Sequence, residues 1–376
     1  MNTTQHGDKP LRLAVVLGTR PEAVKLAPLV LAAQARPQQF EVDVISTGQH
    51  REMLASMLAW FGIEPAVSLN IMRENQDLAH ITMASLDGIN QRLKAHRPDW
   101  VVVQGDTTTT FVGALAAFYH QIPVAHVEAG LRTHDLYSPF PEEANRVMTG
   151  HLSSMHFPPT EGARANLLRE GISDSRILVT GNTGIDALLW TRQKLMATQA
   201  HERPQGRQIL VTAHRRENHG DPMRQLCAAI LGILDRFADV TVHFPVHLSP
   251  KVREVVMPAL SGNPRVKLTE PLDYPDFVAA MMDSHLILTD SGGVQEEAPS
   301  LGKPVLVMRE STERPEAVQA GTAKLVGASQ ERILHEASLL LSDAAEYARM
   351  AQAINPYGDG QSSPRVLDAL LRATRR

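Results

Sequence analysis

The chain has 376 residues and a formal net charge of −4, with 37 Lys and Arg against 41 Asp and Glu. That balance leaves no basic footprint for nucleic acid, and no apolar stretch is long enough to span a bilayer. Cys227 is the only cysteine, which excludes an intramolecular disulfide and argues against a cysteine-built metal site.

The opening residues, MNTTQHGDKP, carry no apolar h-region, so no signal peptide is expected and cytoplasm is the expected compartment. Short apolar runs then alternate with helical patterns. Leu11–Leu17, Val42–Ile45, Trp100–Val103, Ile122–Val127, Met155–Phe157 and Ile177–Val179 read as strands, with helix-like stretches such as Pro21–Ala35 and Phe111–Tyr119 between them. That rhythm predicts a parallel sheet of βαβ units. Residues 190–207 turn polar and read as a helix end followed by a linker. The rhythm restarts with Ile209–Thr212, Val240–Pro245, Val266–Leu268, Leu286–Thr289, Val305–Val307 and Ala323–Val326. Length and rhythm together predict two Rossmann-like α/β domains facing a cleft. The expected division is 1–181 plus 362–376 for the first and 182–361 for the second, with a terminal helix, Ser363–Arg372, returning to the first.

Five stretches carry chemistry. In Gly18-Thr19-Arg20-Pro21-Glu22-Ala23-Val24-Lys25, a strand turns into a helix whose free N–H groups favour an anion, and Arg20 and Lys25 add charge. The stretch lacks the glycines of a dinucleotide fingerprint, so no bound NAD is expected. In Gly105-Asp106-Thr107-Thr108-Thr109-Thr110, Asp106 stands at a strand end where a ligand crevice is expected, or it caps the next helix. His126–Arg146 brings Glu128 at a strand end, then Glu142 and Glu143 opening a helix after Pro141. Arg146, four residues past Glu142, shares its face; a surface ion pair is the alternative reading. His214, Arg215 and Arg216 end the second half's first strand and suit a diphosphate. Ser291, Gly292 and Gly293 lead from a strand into a helix, letting a phosphate approach the backbone, and Glu297 one turn on could clamp a ribose.

Taken together these residues resemble the bacterial non-hydrolysing UDP-N-acetylglucosamine 2-epimerases. GTRPEAVKLAP, TGQHREM, GDTTTT, HVEAGLRT, LYSPFPEEANR, GNTGIDAL, HRREN, TDSGGVQEEAPSLGKPVLVMR, TERPEA and NPYGDG occur in family order from Leu13 to about Leu371. The resemblance implies a glycosyltransferase-B-like architecture, a homodimer, no cofactor and no metal. It implies reversible conversion of UDP-GlcNAc to UDP-ManNAc, a precursor of surface polysaccharide. Catalytic roles fall to Asp106, Glu128, Glu142 and His214, the last at the diphosphate. Substrate contacts fall to Arg20, Lys25, Arg146, Leu272, Phe277, Ser291, Gly292, Gly293, Glu297 and Arg314. A second, activating UDP-GlcNAc would meet Gln49, His50, Gln76 and His247. Two positions depart from the pattern: Ala213 replaces a common glycine before His214, and Asn75 replaces an arginine of some relatives.

The C2 hydrogen of UDP-GlcNAc is not α to a carbonyl, so direct deprotonation to a stabilised carbanion is implausible. Elimination of UDP to 2-acetamidoglucal and re-addition remains, and two sugar faces call for more than one acid–base residue. Rival readings are a glycosyltransferase on the same fold, a hydrolysing 2-epimerase, an epimerase of a UDP-diacetamido-uronic acid, and a non-catalytic nucleotide-sugar sensor.

Overall fold

The computed structural model describes residues 9–48, 51–73, 76–198 and 206–374, with side chains at all of these but 51–53. The chain forms two compact units, 1–187 with 357–376, and 188–356. Each is built on a six-stranded parallel sheet flanked by helices. Among the described residues no helix is long and apolar enough to cross a membrane.

In the first unit the strands are β1 (Leu11–Leu17), β2 (Phe40–Ser46), β3 (Val67–Ser68), β4 (Trp100–Gln104), β5 (Val124–Val127) and β6 (Met155–Phe157), in the order β3-β2-β1-β4-β5-β6. The connecting helices are α1 (Arg20–Gln34), α2 (Arg51–Phe61), α3 (Leu78–Ala95), α4 (Thr108–Tyr119), α5 (Glu142–Leu152) and α6 (Glu161–Arg169). Helix α7 (Thr183–Thr198) carries the chain across the boundary between units. Burial on both faces explains the composition of the central strands: every residue of β4, Trp-Val-Val-Val-Gln, is buried.

The second unit repeats the plan. Its strands are β7 (Arg207–Thr212), β8 (Val240–Pro245), β9 (Val266–Thr269), β10 (Ser284–Thr289), β11 (Val305–Val307) and β12 (Ala323–Leu325), in the order β12-β11-β10-β7-β8-β9. Around them lie α8 (Asp221–Arg236), α9 (Pro250–Leu260), α10 (Tyr274–Asp283), α11 (Gly292–Glu297), α12 (Pro315–Gln319), α13 (Gln330–Ser342) and α14 (Ala344–Ala351). Cys227, on the buried face of α8, sits in the core, and burial pushes its thiol up to about 11, so it packs as an inert small hydrophobe.

The last helix, α15 (Ser362–Thr374), packs on α1 in the first unit. Its N-terminus is held by the Asp186 carboxylate, which accepts the Ser362 and Ser363 N–H groups at 3.3 and 2.8 Å. At its other end Trp100 Nε1 donates to Thr374 Oγ1 at 2.8 Å.

One expected strand is absent. Ile177–Val179 makes a single bridge, Ile177 to His156, and the sixth strand of the first sheet is instead β3 at the opposite edge. The Leu178 and Thr180 N–H groups do reach the His156 and Pro158 carbonyls, but Pro158 has no N–H to return, so the ladder stops. Strand β3 is two residues long, too short to show a periodic pattern.

Neighbouring strands β5 and β6 place His126 opposite His156, both fully buried. His126 Nε2 lies 2.8 Å from the Gly105 carbonyl and donates to it. His126 Nδ1 and both ring nitrogens of His156 have no partner among the described residues. Burial pushes the two imidazoles down to about 4 and about 3. The unfolded chain therefore binds more protons than the folded one below the ordinary value of 6.5, and stability falls as pH falls towards 4. Lowering the pH from 7 to 5 is expected to cost about 1–2 kcal/mol per histidine. Urea unfolding at the two pH values measures the loss. His156→Leu, which removes one of the two titrating rings, should reduce the dependence by about half; equal slopes in the two proteins would clear His156 as a cause.

Candidate active site

Both sheets change winding direction between their first and fourth strands, β1 beside β4 and β7 beside β10. Successive connections leave such a pair on opposite faces, which opens a crevice past the carboxyl ends where ligands of these folds bind. Four of the five sequence motifs follow those four strands, and the fifth, with Glu128, follows β5 next to β4.

In the first unit the crevice is bridged by Glu22, a residue the sequence reading passed over. Its Oε2 accepts the Gly18 N–H at 3.0 Å, the Thr19 N–H at 2.7 Å and the Thr19 hydroxyl at 2.8 Å. Its Oε1 accepts the Thr107 hydroxyl at 2.7 Å and lies 3.1 Å from that of Thr110. The carboxylate is 1% exposed, and burial raises its pKa against those hydrogen bonds. The expected anion place at the Gly18–Thr19 turn is thus filled by the chain's own carboxylate. Thr19-x-x-Glu22 is a capping-box pattern, which is the signal that could have found it. A Cβ on Gly18 would fall 2.3 Å from Thr47 Oγ1 and 2.4 Å from Thr109 Oγ1, so only glycine fits this close approach.

Around this bridge two charge clusters form. Lys25, one turn into α1, places Nζ 2.5 Å from Glu128 Oε2, and Gln104 Nε2 donates to the same oxygen at 3.1 Å. Glu128 has φ of 60°, a left-handed conformation that a non-glycine residue rarely holds. Asp106 is not the helix cap: Thr107 caps α4, its side chain accepting the Thr110 N–H. Asp106 Oδ2 instead meets Arg146 Nε at 2.8 Å and Nη2 at 2.7 Å, while Asn145 Nδ2 donates to the Asp106 carbonyl at 2.9 Å.

Arg146 does not pair with Glu142 as the i,i+4 spacing suggested. Its Nη1 turns to Glu143 Oε2, at 3.0 Å and three residues back. Burial opposes ionisation of Glu143, but hydrogen bonds from the His134 N–H, Arg146 and the Thr133 N–H outweigh it and hold its carboxyl below the ordinary value. Glu143 thereby ties the 133–134 loop to α5. Glu142, half-buried on the first turn of α5, makes no hydrogen bond or ion pair among the described residues. Arg20 opens α1 and is likewise half-buried.

In the second unit the bridge between β7 and β10 is Asp290, also unassigned from sequence. It is 0% exposed, and its Oδ2 accepts the His214 N–H, the Arg215 N–H and Asn218 Nδ2, each at 2.9 Å. Its Oδ1 lies 3.0 Å from His214 Nδ1. Burial opposes its charge, and the His214 contact and these hydrogen bonds bring it below the ordinary value. Ser291 occupies the N-cap position of α11 without a side-chain capping bond, and Arg314 lies against Gly292, where a Cβ would sit 3.3 Å from its Cζ. Arg314 Nε donates to Glu296 Oε1 at 2.6 Å, and Gly293 beside it is exposed. Glu297, at the end of α11, and Phe277, on α10, are half-buried, as is Leu272 in the turn before α10.

His247 follows β8, and its ring lies 5.9 Å from that of His214. Gln76 sits in the turn before α3, its Oε1 accepting the Arg73 N–H at 3.2 Å. Gln49, His50 and Asn75 lie outside the described residues.

A family model described as UDP-N-acetylglucosamine 2-epimerase matches residues 31–371. The UDP-N-acetylglucosamine 2-epimerase of Escherichia coli strain K12 is 53% identical over 370 residues, covering 96% of this chain and 98% of that protein. A crystal structure of UDP-GlcNAc 2-epimerase from Neisseria meningitidis, bound to UDP-GlcNAc, is similar at a TM-score of 0.85 and 47% identity, covering 96% of this chain and 100% of that one. A glycotransferase of kitacinnamycin, at a TM-score of 0.64 and 14% identity over 96% of this chain and 99% of its own, shares the fold. A two-sheet α/β chain matched along nearly its whole length in this way belongs to the UDP-N-acetylglucosamine 2-epimerase family.

Proposed function

We propose that the chain interconverts UDP-GlcNAc and UDP-ManNAc by eliminating UDP across C1–C2 and adding it back. The observation that carries this reading is the pair of carboxylates past the first sheet, Glu128 and Asp106, each held by a cation, Lys25 and Arg146. Carboxylates placed past the strand ends of such a sheet stand where a bound sugar would meet them, and a carboxylate is a competent general base. In the forward direction a carboxylate takes the C2 proton, the C2–H electrons form the C1=C2 bond, and the C1–O pair leaves on the β-phosphate. Reversal after protonation of the other face gives the epimer. Glu142, on the first turn of α5, supplies a third acid–base group near Arg146 in sequence and on the same helix. His214, Arg314, Glu296 and the Ser291–Gly293 turn form the polar surface that suits the nucleotide, the turn offering backbone and the arginine a charge-assisted donor.

Run in D₂O, the reaction is expected to place deuterium at C2 of the product. Epimer retaining its original C2 hydrogen throughout would sink the elimination route, and free ManNAc in the NMR spectrum would mark a hydrolysing enzyme. Asp106→Asn, Glu128→Gln and Glu142→Gln should each lower kcat by roughly 10²–10⁴-fold while the unfolding midpoint stays near that of the parent.

Nucleotide binding has a separate readout. Glu297→Ala and Ser291→Ala should each weaken UDP by about tenfold, the worth of a buried hydrogen bond to a charged group. Calorimetric titration with UDP measures it, and unchanged affinity in both variants would remove these residues from the nucleotide site.

A further inference from the structure

Asp290 and His214 meet where β7 and β10 end, a contact with a chemical consequence. Asp290 Oδ2 is saturated by three N–H donors, while the buried Oδ1 has no hydrogen-bond partner among the described residues and lies 3.0 Å from His214 Nδ1. A buried carboxylate oxygen facing a ring-nitrogen lone pair would be both repelled and unsatisfied. A proton on Nδ1 removes both costs, and the His214 side chain is 44% exposed. Among the described residues, the His247 ring lies 5.9 Å away after β8, and the adjacent Arg215 turns its side chain to Glu313 at 3.9 Å.

We propose that Asp290 is the positioning residue for His214: it fixes the Nδ1–H tautomer and stabilises the ring when Nε2 has taken a second proton from solvent and holds it, as a hydrogen bond, against the departing diphosphate. This rests on the elimination reading above. No net proton transfer is required of the ring; the C1–O electron pair goes to the phosphate oxygen, and the imidazolium lowers the cost of the charge that develops there. Asp290 touches no reacting atom and acts through His214 alone, a partner setting which nitrogen carries the proton.

The test is ring-¹⁵N NMR on the full chain, with the His214 signals assigned by their loss in His214→Gln. At pH 8 the parent is expected to show Nδ1 protonated and Nε2 bare. In Asp290→Asn the amide oxygen must stay with the three N–H donors, so its NH₂ faces Nδ1 and the proton moves to Nε2. That variant should lose roughly 10²-fold in kcat with KM and UDP affinity within about threefold of the parent. A parent ring protonated on Nε2 would overturn the proposal, as would a folded Asp290→Asn with the parent's tautomer or the parent's kcat. Should the variant fail to fold, the parent spectrum alone decides. Should the parent leave UDP-GlcNAc unchanged, the functional reading falls, while the tautomer still decides what Asp290 does to His214.

Discussion

A buried carboxylate spans the divide in each sheet, and the loops that carry the chemistry hang from it. Parallel strands splay at the point where their connections reverse, so the loops after β1 and β4, or β7 and β10, have no ladder to hold them together. Glu22 draws the Gly18–Thr19 turn to the start of α4, and Asp290 draws the His214–Asn218 loop to the end of β10. Each takes several donors, and deleting either would strand them in the interior at about 1–3 kcal/mol apiece. The two units solve the same problem with different residues from different positions, one on a helix's first turn and one at a strand's end.

Much of this was legible in the sequence, and the misses share a cause. Eleven strands declared themselves through apolar runs, because buried parallel strands read as continuous Val, Ile and Leu. Motif positions put Asp106, Glu128, His214 and Ser291 just past strand ends, and the structure has them after β4, β5, β7 and β10. What local pattern could not show was partnership. Arg146 has carboxylates three and four residues before it, and only the fold decides that Glu143 and the distant Asp106 receive it. Asp106 looked like a cap until Thr107 was seen to have that task. Asp290 sat inside a quoted motif without a role, since its partners lie more than 70 residues upstream. Ile177–Val179 had a strand's composition but a proline-bearing neighbour, and neighbours are what a single run does not report.

The strained backbone at Glu128 belongs with the same theme. A left-handed glutamate costs on the order of 1–3 kcal/mol and persists only where its surroundings over-determine it. Here the Glu128 N–H is taken by the Phe157 carbonyl, and the side chain is claimed by Lys25 and Gln104. A β-extended residue at that point would send its side chain elsewhere, so the conformation is what brings this carboxylate to the lysine.

The order of the chain has a consequence for its birth on the ribosome. The second unit is one continuous stretch, 188–356, whereas the first is completed by 357–376. Helix α15 therefore emerges only after the whole of the second unit, and until then Asp186 holds no helix terminus and Trp100 Nε1 has no hydroxyl to meet. The unit bearing the three carboxylates begins synthesis first and is sealed last, so a nascent chain can close its second unit while the first still exposes the face of α1 that α15 covers.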